Sequence, residues 1–385
     1  MLVADLAAAR ALAVRDAAAA RLDELLADLA AWIDADTPSE DPAALDAFAH
    51  AFAARLAVLG WEPELVPRPT GLHVHARLHG SGRARVALVG HHDTVFPAGT
   101  AAARPFAVDG DLAHGPGVAD MKGGLLVAAW AGSLLRAEGI PVGTLELVSV
   151  PDEEPRSGPF ATLAEVAGCD AALVLECGRP GNGIVTARKG GRWLELHATG
   201  RRAHAGTEPE LGRNAVLALC TEALRIAALD RSRDGLGVQV TRLHGGDVIN
   251  TVPGAATVSL DVRAWSRDDL DWAIAQIETY GTHDGVAFAL ETTEDTPPMD
   301  RASSAALART ASALGEALGT PVHHVETGGA SDGSWCATAG IPTLDGLGPV
   351  GADDHTPDEW IEVGSIAPRC GLVAGLVTAI EEGLA

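Results

Sequence analysis

Apolar and polar positions follow two different rhythms along this chain. From about 4 to 34, alanine and leucine recur at helical spacing, which predicts one amphipathic helix ending near Asp36-Thr37-Pro38. A second helix is predicted over 42–59, closed by Gly60 as its C-cap. The rhythm then changes. RARVALVG (83–90) is a β-rich apolar run that stops at the polar cluster HHDTVFP. Helical LLVAAWAGSLLRAEG (125–139) follows, then the strand TLELVSV (144–150), which ends in PDEE. A further short strand, AALVL (171–175), runs directly into Glu176. Strands alternating with helices predict an α/β fold with a mostly parallel sheet flanked by helices. Ligands of such sheets bind beyond the carboxyl ends of the strands, where these polar clusters fall.

Between about Lys189 and Pro298 the pattern differs. WLELHATG alternates, NAVLALCTEALRIAALD is helical, and GVQVTRLHGG and ATVSLDVRAW are strand-like. DDLDWAIAQIETYGTH is again helical and VAFALETTED strand-like. The β–α–β–β–α–β order is that of a ferredoxin-like α+β sandwich. The expected organisation is therefore a discontinuous domain, 1–188 and 299–385, with 189–298 inserted into it. A length of 385 residues, more than one core usually supports, fits two domains.

Composition narrows the function. A formal charge of −24 argues against nucleic acid and against an anionic membrane surface. The five cysteines are far apart and form no C-x-x-C pair, so a disulfide framework or zinc ribbon is not expected. Asp5, Arg10, Arg15 and Asp16 interrupt the N-terminal segment, which does not read as a signal peptide. A reduced, cytoplasmic enzyme is the expectation.

The strand-end residues carry the chemistry. In extended backbone His91 and Asp93 share a face and His92 points away, so Asp93 can orient a metal-binding His91. Asp120 lies in the tight loop HGPGVADMKGG, where it takes the place of the third glycine of a dinucleotide loop and Pro116 lies inside the turn. Its carboxylate can instead bridge two metals. Three adjacent carboxylates, Asp152-Glu153-Glu154, repel one another unless solvated or bound to cations. Of the two glutamates, one can bind metal while the other faces the attacking water as general base. Glu176 ends a buried run, where a charge needs a partner, and His355 follows the glycine-rich GLGPVG. Singly, each residue also suits an ordinary polar turn. Together they offer two histidines, two glutamates and a bridging aspartate, enough for two cations.

The blocks GHHDTVFP, GPGVADMKGG, PDEEPRSG, AHAGTEPELGRNA and DDHTPDEWIEV resemble the dizinc metallopeptidase superfamily of glutamate carboxypeptidase, aminoacylase, acetylornithine deacetylase and succinyl-diaminopimelate desuccinylase. The resemblance runs over nearly the whole chain and is strongest toward the glutamate carboxypeptidase branch. It implies that His91 and Glu176 hold one zinc, Glu154 and His355 the other, and that Asp120 bridges them and precedes a cis peptide bond. It further implies Glu153 as general base and Asp93 as the orienter of His91. The inserted block becomes a lid and dimerisation domain of a homodimer. From it His204 reaches the oxyanion across the dimer, while Asn250 and Arg263 grip the substrate carboxylate. Gly328 and Gly329, in TGGASDG, resemble the glycine loop beside the substrate. A basic residue that some glutamate-specific members carry near the return to the first domain has no obvious counterpart in TTEDTPPMDR, whose Arg301 lies slightly beyond that junction.

The expected function is cleavage of a peptide or N-acyl amino acid at the amide next to a free carboxylate, with two Zn²⁺ as cofactors. Co²⁺ and Mn²⁺ suit the same ligands. Deacylation of the acetylornithine or desuccinylase type is the alternative on the same chemistry. A non-catalytic binding protein would lack a ligand or the base, and none is missing here.

Overall fold

The computed structural model describes residues 3–155 and 158–383. Two helices open the chain, α1 (Val3–Ala19) and α2 (Leu22–Ile33), where one had been expected over 4–34. The break falls at Arg21, whose φ of −118° and ψ of 20° leave the helical region and whose guanidinium donates back to the Ala17 carbonyl. Alternating Ala and Leu carry helical periodicity straight through such a break, so the pattern alone does not reveal it. Helix α3 (Pro42–Val58) has Pro42 in its first turn and Asp41 as N-cap, accepting from Ala43 and Ala44 N–H.

The hairpin β1 (Glu62–Arg68) and β2 (Gly71–His79) follows, then β3 (Arg85–His91), α4 (Gly123–Ala137), β4 (Thr144–Val150) and β5 (Ala171–Val174). The next block supplies β6 (Gly190–Thr199), α5 (Ala215–Ala227), β7 (Gly237–Gly245), β8 (Ala255–Ala264), α6 (Arg267–Ile277) and β9 (Ala287–Thr296). Helix α7 (Arg301–Leu318), strand β10 (Thr343–Leu344) and helix α8 (Val363–Glu381) complete the main elements.

The large sheet has the order β1-β2-β4-β3-β5-β10, with β4, β3, β5 and β10 parallel and the hairpin antiparallel at one edge. Its register places the site. His91 pairs with Val150 and Val89 with Val174, so β3, β4 and β5 end at one level. The segments leaving them, at His91, Asp152–Glu154 and Glu176, emerge side by side. Helices α1 and α8 pack together through small residues: a Cβ at Gly371 would stand 2.7 Å from the Ala11 carbonyl. Alanine-rich α1 can sit this close because it adds little bulk. Two helical stretches, Val118–Ala137 and Val363–Glu381, are long and apolar enough to cross a membrane, but 89% of each window is buried in the protein, as befits core helices.

The second sheet has the antiparallel order β7-β8-β6-β9. On β6, Leu194, Leu196 and Ala198 point into a separate apolar core with Leu219, Ile226, Leu260 and Ile277. The alternate residues Trp193, Glu195 and His197 form the open, polar face.

In and beside the large sheet, His73 and His75 of β2 and the strand-end His92 are buried. Burial drives the pKa of His73 down to about 4 and that of His92 to about 3. A folded-state pKa below the unfolded value means the unfolded chain binds more protons between pH 6.5 and 4, so stability falls as pH drops through that window. The slope is up to about 1.4 kcal/mol per pH unit for each histidine. The urea midpoint is expected to decline between pH 7.5 and 5, and His73→Leu to flatten that decline. Equal slopes in the two proteins would contradict this account.

Candidate active site

His91 ends β3 fully buried. Its Nδ1–H donates to the Asp93 carbonyl at 3.0 Å and lies 3.2 Å from Asp93 Oδ1. That fixes the tautomer and turns Nε2 toward Asp120 Oδ1, at 2.9 Å, and Glu176 Oε1, at 3.7 Å. The other oxygen of Asp120 lies 3.2 Å from His355 Nε2, which is also 3.1 Å from Glu154 Oε2. Asp120 therefore stands between two histidines, each with a glutamate beside it. His92 faces the other way, stacked on Phe48 with ring centroids 5.5 Å apart and bonded to Ser149, so it does not reach the pocket wall.

Asp93 does more than orient His91. Its oxygens accept the backbone N–H groups of Glu153 and Glu154, at 3.2 and 3.1 Å, and the Ser39 hydroxyl at 2.9 Å. One buried carboxylate thus ties the end of β3 to the loop after β4. The peptide bond Asp120–Met121 is cis. His355 has a φ of 64°, a left-handed conformation that a side chain with a Cβ adopts only when its surroundings enforce it.

The donor set fits cations. Histidine Nε2 atoms face carboxylate oxygens, and Glu154 Oε1 is buried without a partner. Burial pushes the Glu154 carboxyl up to about 7 and Glu176 well above the carboxylate range. His355, bonded to Asp120 and Glu154, is raised to about 11. Burial penalises charge on Glu154 and Glu176, and a cation held by this donor set would offset that penalty. Among the described residues, ligand atoms of His91, Asp120 and Glu154 all lie within 4.8 Å of one another.

The site opens into a cleft of about 230 Å³, lined by Glu153, Glu176, His355, Arg179, Arg188 and Gly329 among others. Arg263 also lines it, with its guanidinium bonded to both oxygens of Asp261 and to the Gly328 carbonyl. His204 and Asn250 are not among the lining residues. They sit together, both exposed, at a separate two-stranded ladder of Ala203–His204 with Thr251–Val252, where Ala205 N–H donates to the Asn250 carbonyl.

Three residues escaped the sequence reading. Arg188 is buried against Asp345, at 2.6 Å, and its Nη2 has no partner although the residue lines the cleft. The remaining residue, Glu359, accepts three backbone N–H groups around Asp120. The available signals were an arginine inside a buried run, GIVTAR, and an acid shortly after His355.

The description Peptidase family M20/M25/M40 matches residues 87–379. The chain belongs to this family. Carboxypeptidase G2 of Pseudomonas sp. (strain RS-16) is 29% identical over 323 residues, covering 81% of this chain and 78% of that protein. A putative succinyl-diaminopimelate desuccinylase DapE of Mycobacterium tuberculosis is 32% identical over 316 residues, covering 79% and 85%. Among solved structures, aminopeptidase PepT of Bacillus cereus matches with a TM-score of 0.76 at 20% identity, over 93% of this chain and 98% of that one. An M20 metallo-carboxypeptidase, Sso-CP2 of Sulfolobus solfataricus, matches at 0.73 and 15%, over 93% and 99%. The α/β fold inferred from the strand–helix alternation is thus that of the family. The chain is a hydrolytic enzyme of the peptidase and deacylase type, and its metal-ligand cluster accords with a metal-dependent family.

Proposed function

We propose that the enzyme hydrolyses the amide bond of a peptide or N-acyl amino acid next to a free carboxylate, using two zinc ions. The observation that carries this reading is one cleft holding both the histidine–carboxylate cluster and the unsatisfied guanidinium edge of Arg188. His91 and Glu176 would hold one ion, Glu154 and His355 the other, with Asp120 between. Bound there, the ions supply Lewis acidity that polarises the scissile carbonyl and acidifies water. Glu153, on the cleft wall, takes the proton from the attacking water as the new C–O bond forms. It returns a proton to the leaving nitrogen as the C–N bond breaks. Arg188 and Arg263 attract the substrate carboxylate.

In this reading 189–298 acts as lid and dimerisation domain. Residues 239–250, on and after edge strand β7, are all exposed and include Val240, Leu243, Val248 and Ile249. An exposed edge strand of this kind, with apolar side chains on and just after it, is a template for pairing with a second copy. Such pairing supports a role for His204 and Asn250 in a neighbouring copy's cleft, where His204 would stabilise the developing oxyanion. A strictly monomeric mass in solution would remove that role.

The test is a substrate screen of the zinc-loaded protein, scored by released amino acid. It should compare glutamyl amides, dipeptides, N-acetyl and N-succinyl amino acids, each with its carboxamide analogue. Cleavage of the carboxylates with the carboxamides at least about tenfold poorer supports the reading. Equal cleavage would rule out carboxylate recognition. Preference for acetyl or succinyl groups would favour the deacylase alternative that the desuccinylase relatives suggest.

A further inference from the structure

The Asp120 loop has an electrostatic partner that the metal-ligand set does not contain. Glu359 is buried, and its carboxylate accepts three backbone N–H groups: Gly117 at 2.8 Å on Oε2, and Ala119 and Asp120 at 2.8 and 2.9 Å on Oε1. Gly117, at φ 78°, opens a kinked π-helical turn over Val118–Lys122, and the N–H groups of Gly117, Ala119 and Asp120 stand at its start, ahead of any intrahelical acceptor. A carboxylate, which only accepts, can satisfy all three. An amide cannot, because its NH₂ would meet one N–H donor to donor.

Placement gives this contact its meaning. Glu359 follows His355 by four residues in DDHTPDEW, so one loop delivers His355 to the Asp120 carboxylate and Glu359 to the Asp120 backbone. His91, from β3, meets the other oxygen of Asp120. Asp120 is thus located by its own main chain, and the main chain is located by Glu359.

We infer that Glu359 is a positioning residue for the metal bridge: by clamping the Gly117–Asp120 turn it sets where the Asp120 carboxylate stands between His91 and His355, and so couples the two halves of the cation site. This rests on the two-metal reading above. Residues that hold metal ligands from behind commonly matter about 10–100-fold for metal affinity or activity. A merely structural acceptor would instead cost stability alone. Glu381 provides the matching control, since its carboxylate accepts Arg83 and Ala84 N–H at the far end of β3.

The experiment titrates zinc into the metal-free full-length protein against a chromophoric chelator, for wild type, Glu359→Gln, Glu359→Asp and Glu381→Gln, with apo-state melting temperatures and kcat measured alongside. Expected for Glu359→Gln is zinc affinity weakened about 10–100-fold and kcat lowered more than KM is raised. Glu381→Gln should melt lower with wild-type affinity. Glu359→Asp keeps the charge but is one methylene short, and it serves if the glutamine variant does not fold; it should also bind zinc more weakly. Wild-type zinc affinity in either folded Glu359 variant overturns the inference. Failure of the wild-type protein itself to bind zinc overturns the two-metal reading instead.

Discussion

Glu153→Ala is expected to lower kcat by about 10²–10⁴-fold while leaving the bound zinc unchanged. The separation of the two effects follows from how the loop after β4 is built. Glu153 and Glu154 are held by their backbone N–H groups on the two oxygens of Asp93, so removing the Glu153 side chain leaves that anchor in place. Glu154, not Glu153, lies beside His355. The alanine variant should therefore keep its metal and its substrate affinity and lose proton transfer to the leaving amine. Metal analysis and steady-state kinetics on one preparation decide it. Wild-type turnover with full metal would remove Glu153 from the mechanism. Loss of metal together with turnover would move it into the ligand set.

That division of labour between neighbouring glutamates was open in the sequence until the family resemblance was added, because adjacent side chains in a polar run carry no directional signal. Other features were legible from the residues themselves. The mostly parallel sheet followed from buried runs that end in His91, Asp152–Glu154 and Glu176, and parallel register brings those ends level. Strand β2 was not, since GLHVHARLH buries His73 and His75 at positions that read as polar. The Arg188–Asp345 pair joins residues separated by 157 positions, and no local pattern encodes such a pairing. Glu359 stands among other acids in DDHTPDEW without a local signal; its three N–H donors lie about 240 residues earlier in the chain and come into reach only in the fold.

Arg188 should separate stability from recognition when it is replaced in two ways. Its Nε binds Asp345 Oδ2 at 2.6 Å, its Nη1 binds the Gly329 carbonyl at 3.2 Å, and its Nη2 remains unpartnered. Asp345 is fully buried and also accepts from Ser331 Oγ at 2.6 Å. In Arg188→Met the aspartate loses its counter-charge in a dry environment, which is expected to cost about 3–5 kcal/mol. Arg188→Met combined with Asp345→Leu removes both charges, and stability should largely return because a buried ion pair exchanged for apolar groups is close to neutral. Substrate recognition should not return with it. If Nη2 binds the substrate carboxylate, the double variant and Arg188→Lys both show KM raised about 10–100-fold, the equivalent of one charge-assisted hydrogen bond, with kcat changed far less. The carboxamide analogue should show no such change in KM. Urea melts and kinetics on the three variants test both halves. A wild-type KM for the carboxylate substrate in the refolded double variant would assign Arg188 to the scaffold and leave Arg263 as the anchor.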